Sequence, residues 1–140
     1  CPFDTINHVT SFTAWKRVFA NAHNHLNPGG VFIFDVNTEA KMERYRIEPA
    51  FAEMEEDAIS IVDVQRERRY HYSVNLKLLK KVKGDLYRHH EMLISEIVVP
   101  TPKILKELSG YFKRVTLLDP DRKRPTDETE ELYFVCQGPR

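Results

Sequence analysis

The stretch Leu26-Asn27-Pro28-Gly29-Gly30, running directly into Val31-Phe32-Ile33-Phe34-Asp35, limits the possible folds more than any other part of these 140 residues. Proline cannot continue a helix, and glycine accepts the positive φ that a tight reversal needs. Upstream, Phe12, Trp15, Val18, Phe19, Ala22 and Leu26 recur at helical spacing and form one apolar stripe. A helix over about residues 11–26 is expected, with the Ser11 or Thr10 hydroxyl capping its first turn. Downstream, Val31–Phe34 is a continuous apolar run. It reads as a strand buried on both faces, inside a parallel sheet covered by helices. Helix, tight turn and buried strand make the second half of a βαβ unit, so the fold class is α/β. The strand that should precede the helix is missing, or reduced to a stub at Cys1–Phe3. Cys1-Pro2 is not a natural start, and a fragment of a longer chain is expected.

The remaining sequence changes character twice. Asn37-Thr38 can cap a short helix from Glu39 to about Arg46, and an irregular stretch follows with Pro49 and the acidic residues Glu53, Glu55, Glu56 and Asp57. From about residue 58 the pattern is that of strands. Ile59, Ile61, Val62 and Val64 come first, then Tyr70 to Leu78 with period two, then Leu86 to Val98 after the turn Lys83-Gly84-Asp85. Three antiparallel strands are expected. A two-residue turn would set Leu76 opposite Leu93, and a three-residue turn opposite Met92. Thr101-Pro102 then reads as a cap and first helical position, with Ile104, Leu105, Leu108, Tyr111 and Phe112 as the buried stripe. Val115–Leu118 and Leu132–Cys136 read as two strands paired across a polar loop.

Composition removes several functions. The charge balances, 21 basic against 21 acidic, so no global attraction to nucleic acid or anionic membrane is expected. No apolar stretch approaches the roughly 20 residues of a membrane span. Cys1 and Cys136 form neither a CxxC pair nor a disulfide framework, which points to a reducing, cytoplasmic setting. Five glycines build no GxGxxG or GxxxxGK[ST] phosphate loop. His23 and His25 point to different sides of a helix, and His89 and His90 to opposite faces of a strand, so no metal site is expected. Residues 66–90 hold eight basic residues against Glu67 and Asp85. This is either a patch for an RNA backbone or, as expected here, a solvated face that protects an edge strand.

Phe3-Asp4-Thr5-Ile6-Asn7-His8-Val9, a helix, and Leu26-Asn27-Pro28-Gly29-Gly30 leading to Phe34-Asp35-Val36-Asn37-Thr38 together resemble class I S-adenosylmethionine-dependent methyltransferases. The closer likeness is to a bacterial small-molecule branch, in its C-terminal half. The resemblance implies the C-terminal half of a Rossmann-like sheet with an antiparallel three-stranded insert. Residues 1–57 and 99–140 would belong to the partial Rossmann-like domain, and 58–98 to a substrate-side lid. The implied cofactor is S-adenosyl-L-methionine and the implied partner a small-molecule substrate. The family's glycine-rich cofactor loop and its ribose-binding acid are not in these residues, so the fragment alone should be inactive and should self-associate.

The resemblance also implies a site. Cys1, Phe3 and Asn7 would lie beside the cofactor, and His8 and Asp4 would face the transferred methyl, with His8 as general base, since histidine exchanges a proton near neutral pH. Asn37, Arg88 and Glu91 would meet the substrate. Each has a plainer reading: Asn7 and His8 as braces of the loop, Asp35 and Asn37 as caps, Arg88 and Glu91 as solvated strand charges. Two other functions remain open, a non-catalytic scaffold with a degenerate fold and an RNA-modifying enzyme. The enzyme reading hinges on Val31–Asp35 being an interior parallel strand; a helix there, or the rim of an all-antiparallel sheet, would overturn it along with the proposed pocket.

Overall fold

A computed structural model describes residues 1–48, 51–54 and 57–140, with the side chains of 51–53 left aside. Pro49, Glu55, Glu56 and the side chain of Glu53 therefore fall outside the described residues. A short 3-10 helix, Thr5–His8, precedes helix α1, Phe12–His25. Strand β1, Val31–Asn37, and helix α2, Glu39–Ile47, follow. Then come β2, Phe51–Met54; β3, Ala58–Arg68; β4, His71–Lys83; and β5, Leu86–Ile97. Helix α3, Thr101–Leu108, leads to β6, Phe112–Leu118, and β7, Glu131–Pro139. The described strands form two sheets, β1-β7-β6 and β2-β3-β4-β5, with every pairing antiparallel.

The turn before β1 forms as its sequence requires. Gly30 N–H donates to Asn27 O at 2.8 Å, and Gly29, after Pro28, sits at φ +82°. Proline at the second position and glycine at the third match a type II turn. A side chain at Gly30 would come within 2.9 Å of Asn27 O and the Leu26 side chain.

The core is one face of the first sheet. Phe34, Val36, Leu132, Phe134 and Cys136 are buried there, and Trp15 and Phe19 of α1 with Ile104 and Leu108 of α3 belong to the same cluster. Phe34 and Phe134 are cross-strand partners whose rings stack 4.7 Å apart at 3°. A second cluster joins Met42 of α2 to Val64 and Tyr72 of the second sheet and to Val98 just beyond β5.

Four expectations are corrected. Strand β1 is at the rim of an antiparallel sheet, and β7 is its strand partner among the described residues. Its faces also differ. Phe34 and Val36 point into the core, while on the other face Val31 and Ile33 are 42% and 49% exposed and Asp35 and Asn37, nearer the carboxyl end, are buried. The second sheet has four strands, since β2 adds to the expected three. Neither expected hydroxyl cap forms at α1 or α3. Ser11 holds the N-cap position with its backbone carbonyl accepting from Ala14 and Trp15, and Pro100 precedes α3, with Thr101 its first residue. Phe112, expected on α3, is a buried residue of β6.

The long hairpin resolves the open register. Gly84 and Asp85 form a two-residue turn, but an irregularity between Lys81 and Lys83 displaces Val82 from the ladder, and Leu76 faces Met92. The capping role of Thr38 holds: its hydroxyl accepts from Lys41 N–H at 3.4 Å and donates to Thr129 O at 2.5 Å.

Candidate functional site

The carboxyl end of β1 gathers polar groups from three parts of the chain. The backbone turns sharply at Phe3 and Asp4, which take φ of +59° and +48°, and the 3-10 helix then presents His8. Such left-handed non-glycine residues store strain, and they cluster at functional sites. Two bonds hold the turn against β1. Cys1's amino group donates to Ile33 O at 2.9 Å, and Asp4 N–H donates to Asp35 Oδ2 at 2.7 Å. This stub therefore advances in the same direction as β1, along its free edge.

Asn37 is the keystone. Its side-chain amide donates to Asp4 Oδ2 at 2.6 Å and to Glu96 Oε2 at 3.2 Å, while Lys41 Nζ donates to its Oδ1 at 2.8 Å. Asn7 locks its backbone. Asn37 N–H donates to Asn7 Oδ1, and the Asn7 amide donates to Asn37 O and to Ile97 O. Asn7 is fully buried and both its amide hydrogens are committed, so its side chain braces the loop.

With Oδ2 held by Asn37, the other Asp4 oxygen, Oδ1, lies 3.5 Å from His8 Nε2. A carboxylate at Nε2 favours the tautomer with its proton on that nitrogen, which leaves Nδ1 as a proton acceptor. His8 remains solvent-accessible, with 42% of its side chain exposed, against 29% for Asp4. Asp35 is buried, and its second oxygen, Oδ1, has no hydrogen-bond partner.

Glu96 was not anticipated. It lies at the end of β5, far from the other members in sequence, and no local pattern marks it. It is only 5% exposed. Burial, reinforced by the charge of Asp4, pushes its carboxyl above the usual carboxylate range, against the opposing hydrogen bond from Asn37. The folded chain thus holds this proton more tightly than the unfolded chain. Stability falls as pH rises from the ordinary carboxylate range through the raised value. Thermal melts of Glu96→Gln should show no such fall, and should lie above the parent once pH passes that window. Parallel pH curves for both proteins would contradict this.

One ligand atom each of Asp4, His8 and Glu96 lie within 4.8 Å of one another, close enough to share a metal ion. Histidine spacing along the sequence could not reveal this trio. The Asn37 amide already donates to both carboxylates, and Lys41 adds a positive charge beside them. This donor set suits hydrogen bonding to the carboxylates.

The other predicted residues separate. Cys1 and Phe3 are exposed, with Phe3 at 84%. Glu91 accepts from Asn75 Nδ2 at 2.9 Å and lies 3.9 Å from Lys77. The alternation of β5 puts Glu91 on the sheet face opposite Glu96. Arg88 pairs with Lys80 toward the distal turn of the hairpin. Hence the structure brings Asp4, Asn7, His8 and Asn37 together and leaves Arg88 and Glu91 outside the cluster.

No protein-family model matches the chain, and no curated protein matches its sequence. Solved structures do match its fold. An S-adenosylmethionine-dependent methyltransferase from Clostridium acetobutylicum superposes with a TM-score of 0.83 at 22% identity, over 98% of this chain and 56% of that one. The CcbJ methyltransferase from Streptomyces caelestis gives 0.73 at 14%, over 97% and 58%. CalS10, an amino pentose methyltransferase from Micromonospora echinaspora solved with S-adenosylmethionine bound, gives 0.73 at 13%, over 97% and 56%. The chain thus has the fold of the C-terminal half of these methyltransferases and spans little more than half their length.

Proposed function

We propose that these residues form the acceptor-side half of an S-adenosylmethionine-dependent methyltransferase acting on a small molecule. The observation that carries this reading is the Asn37–Asp4–His8 chain of contacts at the carboxyl end of β1, joined by buried Glu96. In open α/β sheets, ligands sit outside the carboxyl ends of strands. The antiparallel rim position of β1 does not itself support the enzyme reading. Support comes from the site and from the fold shared with methyltransferases.

The residues suit part of the cofactor. Phe3 offers an exposed aromatic face and Cys1 an exposed side chain beside the end of β1, whereas Asn7 is committed to bracing. S-adenosylmethionine supplies an electrophilic methyl group when bound. His8 accepts the proton of the attacking acceptor atom, Asp4 orients its ring and stabilises the imidazolium, and Asn37 fixes Asp4. Arg88, toward the distal turn, and Glu91, on the opposite face of the sheet, take no part in this reading. Residues 58–98 act as the lid and the remainder as the partial Rossmann-like domain, in the cytoplasm. No described helix is long and apolar enough to cross a membrane.

The 140 residues alone should not transfer methyl groups, because no glycine-rich cofactor loop is present among them. They should also self-associate, since among the described residues β1 is a rim strand that carries the exposed Val31 and Ile33. Light scattering at high concentration should show dimers or larger species, and a clean monomer would refute this.

The test of function is to incubate the full-length protein with methyl-labelled S-adenosylmethionine and a metabolite extract. Label in the small-molecule fraction supports the reading. Label in RNA would favour an RNA-modifying enzyme, and no transfer at all would favour a scaffold.

A further inference from the structure

The basic residues of 66–90 do not form one surface. Arg66 pairs with Glu43 and Lys77 with Glu91, while Lys80, Lys81, Lys83 and Arg88 lie toward the distal turn of the long hairpin. Arg68 and Arg69 stand at the opposite end, where β3 turns into β4. They line a cavity of about 390 Å³ together with His71, Lys103 of α3, Tyr70, and Thr10, Ser11 and Phe12 at the start of α1. Among the described residues, no carboxylate lines it, and none of Arg68, Arg69 and Lys103 has an acidic partner. Arg69 Nη2 donates to the Tyr70 hydroxyl at 3.0 Å, and Lys103 Nζ lies 4.6 Å from the Phe12 ring centre. This contrasts with α2, where Arg44 and Arg46 are both paired with glutamates.

Three uncompensated cations from two elements around one cavity form a region of positive potential. Helix α1 adds to it. Its N-terminus brings the positive end of a 14-residue helix dipole to the cavity, and Ser11 makes no side-chain capping bond there. The chain links two of the cavity's lining residues to the candidate site by short steps in sequence. Thr10 follows His8 by two residues, and Val98, which lines the cavity, follows Glu96 by two.

We propose that this cavity is an anion site for a phosphoryl group carried by a small molecule, held by Arg68, Arg69 and Lys103. Its use by the methyl acceptor rests on the reading given above; the anion site itself does not. Guanidinium groups suit phosphate because their planar fork makes paired, charge-assisted hydrogen bonds. A small ligand fits better than an extended polyanion, because the other basic cluster lies at the far end of the hairpin.

The test is calorimetric titration of the full-length protein with pyrophosphate, which needs no methyl transfer and so fails or succeeds independently of the catalytic reading. Saturable binding is expected. Arg68→Ala/Arg69→Ala should weaken it at least about tenfold, and Lys103→Met should weaken it about threefold or more. Lys80→Ala/Lys81→Ala/Lys83→Ala should leave it within about twofold of the parent. Circular dichroism of each variant confirms folding, and Lys103→Met supplies an independent arm if the double variant misfolds. Absence of saturation would overturn the proposal, as would equal weakening by the distal triple variant. A single-stranded RNA that outcompetes pyrophosphate and depends on the distal lysines would also overturn it, in favour of a polyanion surface.

Discussion

Replacing His8 with alanine should lower methyl transfer by the full-length protein by roughly 10²- to 10⁴-fold, the usual contribution of a positioned general base. The geometry explains why the loss should fall on kcat. Asp4 stands 3.5 Å from Nε2 and is itself held by Asn37, so the ring is oriented before any acceptor arrives. His8 is partly exposed and buries little surface, so stability should hardly change. Asp4→Asn should give a smaller loss, because the ring loses the carboxylate that stands beside its Nε2. A His8→Ala enzyme with unchanged kcat would remove the histidine from the chemistry and leave it a loop residue.

Phe134→Ala should cost about 3–5 kcal/mol of stability, the range for emptying a fully buried aromatic site. Phe134 is completely buried on the central strand of the first sheet, and its ring stacks on Phe34. Truncation removes both the buried area and an aromatic pair in favourable geometry. The neighbours cannot collapse freely, because Trp15 and Phe19 are locked in the same cluster by their own packing. Urea denaturation should show a lower midpoint with little change in slope. Met92→Ala, at a residue that is 56% exposed, should shift stability by no more than about 0.5 kcal/mol. Comparable effects of the two substitutions would mean that the core has been misplaced.

Local signals made much of this fold legible. Helix α1 followed from the spacing of Phe12, Trp15, Phe19 and Leu26, and the turn before β1 from Pro28-Gly29-Gly30, because both depend on nearby residues. What depends on distant partners was less readable. An apolar run such as Val31–Phe34 states that burial is available without stating which strand lies beside it. The expectation of a parallel interior strand thus failed within the described residues, where β7 is the antiparallel neighbour. The displaced Val82 likewise decides the register of the hairpin, and no pattern of hydrophobicity announces it.

The site divides in the same way. Asp4, Asn7 and His8 share one short segment, and Asn37 ends a recognisable strand, so sequence could single them out. Glu96 reaches them only because β5 returns beside the 3-10 helix, and an isolated glutamate at a strand end carries no signal. Conversely, the family resemblance singles out Glu91, yet strand alternation turns it to the other face. The strained Phe3-Asp4 turn was also invisible, since neither residue advertises a positive φ.

The central claim is that the carboxyl end of β1, with Asp4, His8, Asn37 and Glu96, adjoins a bound sulfonium donor in the complete protein. Calorimetric titration of the full-length protein with S-adenosylhomocysteine tests it most directly. Saturable binding by the full-length protein, and none by the isolated 140 residues, is the expected result. No binding to the full-length protein at millimolar ligand would contradict it.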